Sequence, residues 1–285
     1  MLQSQVLRIS LLLSLTVVQI DSFLVRRLSA FPTISSVDIS TSTSTARTTV
    51  STRKMSMSHD DVAAQGLLVS CIDKLGMVTG DGDKSKPVIL LASQSPRRRE
   101  ILDMMGLENR YYAQPSPLDE EALQAELATQ EILPTDYARI LAERKASAMS
   151  ITLPESPQTF VIGSDTIVDI DGQILNKPTS EEDAFRMLGE LSGKKHQVHT
   201  GVAVYSGETK CFSFTETANV CFQQLTEEDI RAYIATGEPM DKAGSYGIQG
   251  IGGQLVERID GSYFAVMGLP MHSLSRELAK LINSL

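Results

Sequence analysis

The stretch FVIGSDTIVDIDGQIL, residues 160–175, constrains the fold of this chain more than any other. Its apolar run is long enough for an extended strand. Asp171-Gly172 then suits the two left-handed positions of a tight hairpin turn, so the chain returns antiparallel to itself. Elsewhere, from Pro87 onward, strand and helix signals alternate, the pattern of crossover connections. VILLA (88–92) reads as a buried strand, and the helix after it carries Ile101, Leu102 and Met105 on one face and ends at Gly106. Further helices are expected from near Asp119, and from about Thr135 to Met149. Ser180 with Asp183 opens another helix, running to Leu191, and Thr226 with Asp229 opens one to about Ala235. Residues 197–205 and 210–223 read as a strand pair. GQLVERI and YFAVMGL read as two closing strands, and Pro270 opens a C-terminal amphipathic helix. A chain that combines a hairpin with crossovers predicts an α/β domain, with a mixed twisted sheet and flanking helices.

Residues 1–59 stand outside that pattern. ISLLLSLTVVQI (9–20) follows Arg8 and is too short to span a bilayer, so no stable membrane insertion is expected. The Ser, Thr and Arg-rich stretch after it has the composition of a targeting segment and cannot build a core. Of the 26 basic and 35 acidic residues in the chain, residues 1–59 hold six and two. That leaves 20 and 33 for the rest, a net −13, which argues against nucleic acid as a partner. Three cysteines, Cys71, Cys211 and Cys221, without disulfide or metal spacing, fit a reducing compartment. Import into a plastid or mitochondrion is therefore preferred to secretion, with Met55 or Met57 as an internal start for a cytoplasmic form. Residues 60–86 read as a linker with one short helix around Val62–Leu75, and the folded domain is expected at 87–285.

Three features depart from ordinary folding. LASQSPRRRE places Ser95 as N-cap and Pro96 at the first helical position, and then three arginines where a helix dipole disfavours cations. A bound anion resolves the conflict, because helix-start N–H groups and the arginine fork both suit phosphate. Arg97 and Arg98 are the candidates, since successive helical residues diverge by about 100°; Arg99 is expected to pair with Asp103. Lys145 interrupts an apolar stripe of Ala138, Leu141, Ala142, Ala148 and Met149. It reads either as a snorkelling lysine or as an ammonium directed into a cleft. Asp165 interrupts an apolar strand, where an ionised carboxylate is costly unless paired or metal-bound. It is either a structural ion-pair partner, or a general base or metal ligand. GSYGIQGIGG (244–253) lacks the spacing of a dinucleotide loop, and its glycines are expected to let backbone approach a ligand, with Gln249 offering an amide.

LASQSPRR, ERKA, VIGSDTIV, NKP, LSGKKHQVHTGVAV and ATGEPMDKAGSYGIQGIGG together resemble the Maf family of nucleoside triphosphate pyrophosphatases, from about residue 87 to the C-terminus. The resemblance implies two lobes around a central cleft, of the inosine-triphosphatase type, and hydrolysis of a nucleoside triphosphate to monophosphate and pyrophosphate. It implies Asp165 as the base that activates water. Ser93, Ser95, Arg97, Arg98, Lys145 and Lys177 fall around the phosphates, and Glu120 with Asp165 at a divalent Mg²⁺ or Mn²⁺. Arg98, Thr166 and Gln249 match the dTTP/UTP branch. A tryptophan typical of the 7-methyl-GTP branch is missing, since the chain has no Trp. The alternatives are 7-methyl-GTP hydrolysis and a non-catalytic nucleotide-binding regulator of division. A homodimer is the assembly expected.

Overall fold

The computed structural model describes residues 66–79, 83, 85–153 and 158–285. The segment expected to direct targeting, and the internal start expected at Met55 or Met57, lie outside the described residues. Seven strands form one mixed sheet: β1 (Val88–Ala92), β2 (Tyr111–Gln114), β3 (Thr159–Ile170), β4 (Gln173–Leu175), β5 (Lys195–Ser206), β6 (Thr209–Phe222) and β7 (Val256–Asp260). Their order is β2-β1-β3-β5-β6-β7, with β4 also on β3. β2 and β3 flank β1 in parallel, and every pair beyond β3 is antiparallel. The mixed α/β architecture is the one expected, and the β3–β4 hairpin turns at Asp171 and Gly172, both with positive φ.

The helices are α1 (Pro96–Leu102), α2 (Glu120–Leu127), α3 (Pro134–Ser150), α4 (Glu181–Leu191), α5 (Glu227–Ile234), α6 (Tyr263–Met267) and α7 (Met271–Asn283). The starts of α4 and α5 are capped by Ser180 and Thr226 as the sequence implied, with a reciprocal capping box at Thr226–Asp229. YFAVMGL departs from expectation: it is α6, not a strand. Ser262 caps it by accepting from Ala265 N, and a short apolar run does not distinguish strand from helix by periodicity. β2 escaped the sequence reading because it is four residues long and alternates between partial and full exposure.

Alternation along β3 distributes its side chains between two layers. Phe160 and Ile162 join Ile101, Leu102, Leu274 and Leu278 in the core under α1 and α7. Val161 joins Ala142, Ala146 and Met149 of α3 on the other face. Helix α3 lies unusually close to the sheet there. A Cβ on Gly163 would fall 2.3 Å from the Ala142 carbonyl oxygen, and one on Gly201 would fall 2.2 Å from that of Ala138. The distal half of the sheet carries α4 and α5 over a separate core containing Val168, Leu188, Val220 and Ile230.

Residues 60–86 read as a linker from sequence, yet Leu68, Cys71 and Leu75 are buried in the α1/α7 core, at 1%, 4% and 1% exposure. The described part of the expected helix forms two 3₁₀ turns, Leu68–Ser70 and Ile72–Lys74, and residues 62–65 lie outside the described residues. Lys86 Nζ closes it by donating to the Asp73 carbonyl at 2.8 Å.

Candidate active site

β3 outruns its neighbour. β1 pairs it only as far as Leu91↔Ile162, and β4 begins at Leu175↔Val168 on the same side. Between those two registers β3 has no strand on that edge, while β5 pairs it on the other. A cavity of about 410 Å³ opens in the gap, outside the carboxyl end of β1, where open α/β sheets bind ligands. Its charged lining is Arg97, Arg98, Glu120, Lys145, Asp165 and Lys177, all singled out by the sequence, together with Asp241 and Lys242. Ser93, Ser95 and Thr166 line it as well.

The centre is a buried lysine between two carboxylates. Lys145 Nζ lies 2.7 Å from Asp165 Oδ1 and 2.8 Å from Glu120 Oε2. Of the two sequence readings for Lys145, the cleft-directed one holds. The contact exists because glycines 163 and 201 let α3 sit against β3 and β5. Glu120 reaches the centre from the first turn of α2, while its neighbour Asp119 takes the capping role by accepting from Ala122 N at 3.0 Å. β3 also buries Asp169, but that carboxylate accepts from Gly172 N at 2.8 Å and lies 3.3 Å from His199 Nε2. Asp165 is the one that faces the cavity.

The arginines divide their work. Arg98 Nε donates to the Gly268 carbonyl at 2.8 Å, and its two terminal nitrogens donate to Ser93 Oγ at 3.1 Å and Thr166 Oγ1 at 3.3 Å. It therefore ties the loop after β1 to β3 and to the end of α6. Burial lowers the Arg98 pKa from its usual value, and Asp165 opposes that shift. The group still stays charged at any ordinary pH. Arg97 makes a looser contact across the cavity mouth with Asp241, at 3.4 Å. Arg99 does not pair with Asp103, because that carboxylate accepts from the Tyr111 hydroxyl at 3.0 Å. Ser95 holds the N-cap position without a side-chain cap bond, and its own N–H donates to Ser93 Oγ at 3.2 Å.

Gln249 departs from its expected place. Its side chain is exposed, its amide nitrogen donates to Glu100 at 2.9 Å, and it lies outside the cavity lining. The wall there is built instead by Tyr246, Gly247 and Ile248. Sequence reasoning also missed Lys242, which lines the cavity and contacts Asp241. Its position within MDKAGSYG carried no periodicity to flag it.

Two carboxylates that converge on one cation are also a donor set for a hard divalent ion. Mg²⁺ usually takes one or two protein carboxylates and completes its shell with water and phosphate oxygens. Among the described residues, no group of three or more His, Cys, Asp or Glu side chains is arranged to hold a metal by itself. Nor is any helix there long and apolar enough to cross a membrane.

This is an α/β protein with a cation-lined cleft and a lysine–carboxylate centre, built to receive a polyanion. The chain belongs to the Maf family: the model for Maf-like protein matches residues 88–281. It is 47% identical over 190 residues to a dTTP/UTP pyrophosphatase of Bacillus pumilus, covering 67% of this chain and 94% of that protein. It is 45% identical over 197 residues to a dTTP/UTP pyrophosphatase of Shewanella denitrificans, covering 68% and 96%. The residues ahead of position 88 form an extension upstream of the family match.

Proposed function

We propose that this protein hydrolyses nucleoside triphosphates, with dTTP and UTP as preferred substrates, to the monophosphate and pyrophosphate, and so limits or cleans a nucleotide pool. The observation that carries the reading is the Lys145–Asp165–Glu120 centre, set in a cavity whose other charged groups are mostly cations. The curated relatives with that activity in their names support the substrate choice.

In the reaction, a water oxygen attacks the α-phosphorus as the α–β anhydride bond breaks, and pyrophosphate leaves with the bonding electrons. Asp165 takes the water's proton, and Lys145, 2.7 Å from it, keeps that carboxylate aimed into the cavity. Arg97, Lys177 and the loop of Ser93 and Ser95 receive phosphate oxygens, and Arg98 keeps that loop in register with β3. Charge stabilisation by such fixed donors is the main means by which proteins accelerate phosphoryl chemistry. Glu120 and Asp165 are the residues that would hold Mg²⁺ or Mn²⁺, which when bound supplies further neutralisation of phosphate charge. Thr166, on β3 and held by Arg98, is the base-discriminating residue that lines the cavity; Gln249, bonded to Glu100 outside the lining, would have to release Glu100 to join it.

The test is a nucleotide panel of the common NTPs and dNTPs, 5-methyl-UTP and 7-methyl-GTP. Wild type and Asp165→Asn are run side by side, and pyrophosphate is separated from phosphate. Pyrophosphate from dTTP and UTP should fall by about 10²–10⁴-fold in the variant while nucleotide binding persists. Preference for 7-methyl-GTP would keep the chemistry and overturn the base assignment. Binding without turnover in the wild type would make the protein a nucleotide-dependent regulator. Residues 1–59 are proposed as an organelle-targeting segment, tested by the destination of a fluorescent fusion in cells. The homodimer is proposed alongside, to be tested by light scattering.

A further inference from the structure

Behind the glycine-rich wall of the cavity lies a carboxylate that the proposed reaction does not use. Glu238 Oε1 accepts from the Tyr233 hydroxyl at 2.9 Å and from Gly252 N at 3.0 Å. Its Oε2 accepts from Ile251 N at 2.8 Å. The Tyr233 oxygen in turn accepts from Gly247 N at 3.1 Å. Lys242, which lines the cavity, donates its ammonium to the Glu238 carbonyl. One glutamate and one tyrosine therefore hold both ends of the 247–252 loop.

The glycines of this loop serve that hub. A Cβ on Gly250 would fall 2.4 Å from Glu238 Oε2, and one on Gly252 would fall 2.4 Å from the Tyr233 hydroxyl oxygen. Those two bare positions face the carboxylate and the phenol. Gly247 is the glycine of this loop whose backbone reaches the cavity, whereas Gly250 and Gly252 serve the hub. The ligand meets the opposite surface, since Tyr246, Gly247 and Ile248 line the cavity. Of the cavity's surfaces, this wall adds backbone, an aromatic ring and an aliphatic side chain, with Lys242 against Gly247, while Arg97, Lys145 and Lys177 come from α1, α3 and the residues after β4. A triphosphate goes to the cations, which leaves the nucleobase for this wall.

We infer that Glu238 is a positioning residue for base selectivity: it fixes the backbone of the nucleobase-facing wall through Ile251, Gly252 and Tyr233. The inference rests on the proposed triphosphatase reading. The chemistry requires a carboxylate rather than an amide. Three donors converge on Glu238, and a carboxylate accepts at both oxygens, whereas glutamine would place an NH₂ among them. Burial alone would raise the Glu238 pKa, but the Gly252 and Ile251 N–H groups, the Tyr233 hydroxyl and Lys242 outweigh it and hold the carboxyl below its ordinary value. An ionised acceptor of this kind is stronger than a neutral one.

Glu238→Gln is compared with wild type for KM, kcat and the ratio of kcat/KM for dTTP to that for CTP and GTP. The expected result is a KM for dTTP raised by about tenfold or more, with kcat held and the selectivity ratio collapsing toward one. A lower melting temperature with KM and selectivity intact would show a purely structural role and overturn the inference. Tyr233→Phe keeps both backbone bonds to Glu238, removes the hydroxyl's bond to Glu238 Oε1 and frees Gly247 N. It should give a smaller shift of the same sign, and stands in if Glu238→Gln does not fold. Hydrogen exchange of the Gly247, Ile251 and Gly252 amides in nucleotide-free wild type reads the hub independently of turnover. Slow exchange there, with no hydrolysis of any nucleotide, would sink the reaction and spare the hub. Fast exchange at all three would sink the hub.

Discussion

Alanine at Gly201 tests whether the closeness of α3 to the sheet creates the site. The added Cβ would lie 2.2 Å from Ala138 O and 2.6 Å from Arg139 N, both backbone atoms in a helix held by its own hydrogen bonds. Ordinary carbon contacts begin near 3.5 Å, so the helix must retreat by about 1 Å or the strand must bow by as much. Overpacking of this kind costs about 1–3 kcal/mol, and the upper end applies because no side chain can rotate aside. The same retreat carries Lys145 away from Asp165, now at 2.7 Å. Misplacement by about 1 Å can cost about 10²-fold in rate. Urea unfolding and steady-state pyrophosphate release should therefore both fall in Gly201→Ala. The control is Gly189→Ala in α4, where an added Cβ meets nothing within 4 Å. That change should stabilise by about 0.5–1 kcal/mol, through lost backbone freedom in the unfolded chain. If Gly201→Ala matched wild type in both assays, the argument that the glycines set the Lys145–Asp165 distance would be refuted.

Other outcomes follow from burial. A protein beginning at residue 87 loses the burial of Leu68 and Leu75, about 1.5–3 kcal/mol for each leucine. It should melt well below a protein beginning at residue 66 in a thermal scan, and equal melting points would remove the segment from the core. Burial pushes His196 down from 6.5 to about 4, so it is neutral in the fold. Between those values the unfolded chain binds the extra proton, so stability is complete above pH 6.5 and is lost as pH falls toward 4. At pH 5 the loss is about 2 kcal/mol relative to pH 7, and urea unfolding at the two pH values reads it; a flat profile would contradict the assignment. Lys145→Met leaves Glu120 and Asp165 facing one cavity without their shared cation. Turnover should fall by about 10²-fold or more, measured by pyrophosphate release, and wild-type rates would exclude Lys145 from the centre.

What the sequence disclosed was local. The β3–β4 hairpin followed from Asp171-Gly172, and Asp165 and Lys145 stood out because each charge interrupts an apolar pattern. Residues whose importance comes from tertiary placement left no such mark. Glu120 was one of three acids at a helix start, and only the packing of α2 beside α3 separates it from Asp119, which caps, and sends it to Lys145. Glu238 and Lys242 sit in a 3₁₀ turn and the residue after it, where no periodicity exists to violate. Gln249 was legible as an amide near the site, but not as one held outward by Glu100. The run YFAVMGL satisfies a strand as well as a helix by its pattern, and the Ser262 cap decides for α6.

The site is a consequence of mismatched lengths. β3 runs twelve residues while β1 runs five, so the partner strand ends before β3 reaches Asp165. The chain leaving β1 must turn away there, and it does so as the loop of Ser93 and Ser95 and the start of α1. That turn places Arg97 and Arg98 beside the bare edge of β3. On the other face, the bare surface at Gly163 and Gly201 admits α3, and with it Lys145. A carboxylate on β3 at that level is therefore met by cations from both sides of the sheet, because two independent backbone features converge on one stretch of strand. Moving Asp165 two residues back, to position 163, would keep the face but place the side chain against the α3 backbone, where even a methyl group does not fit. Two residues on, at position 167, the side chain would enter the closed apolar cluster of Leu123, Leu127 and Leu141. Of the three α3-facing positions along this edge, only 165 gives a carboxylate both a partner and a cavity.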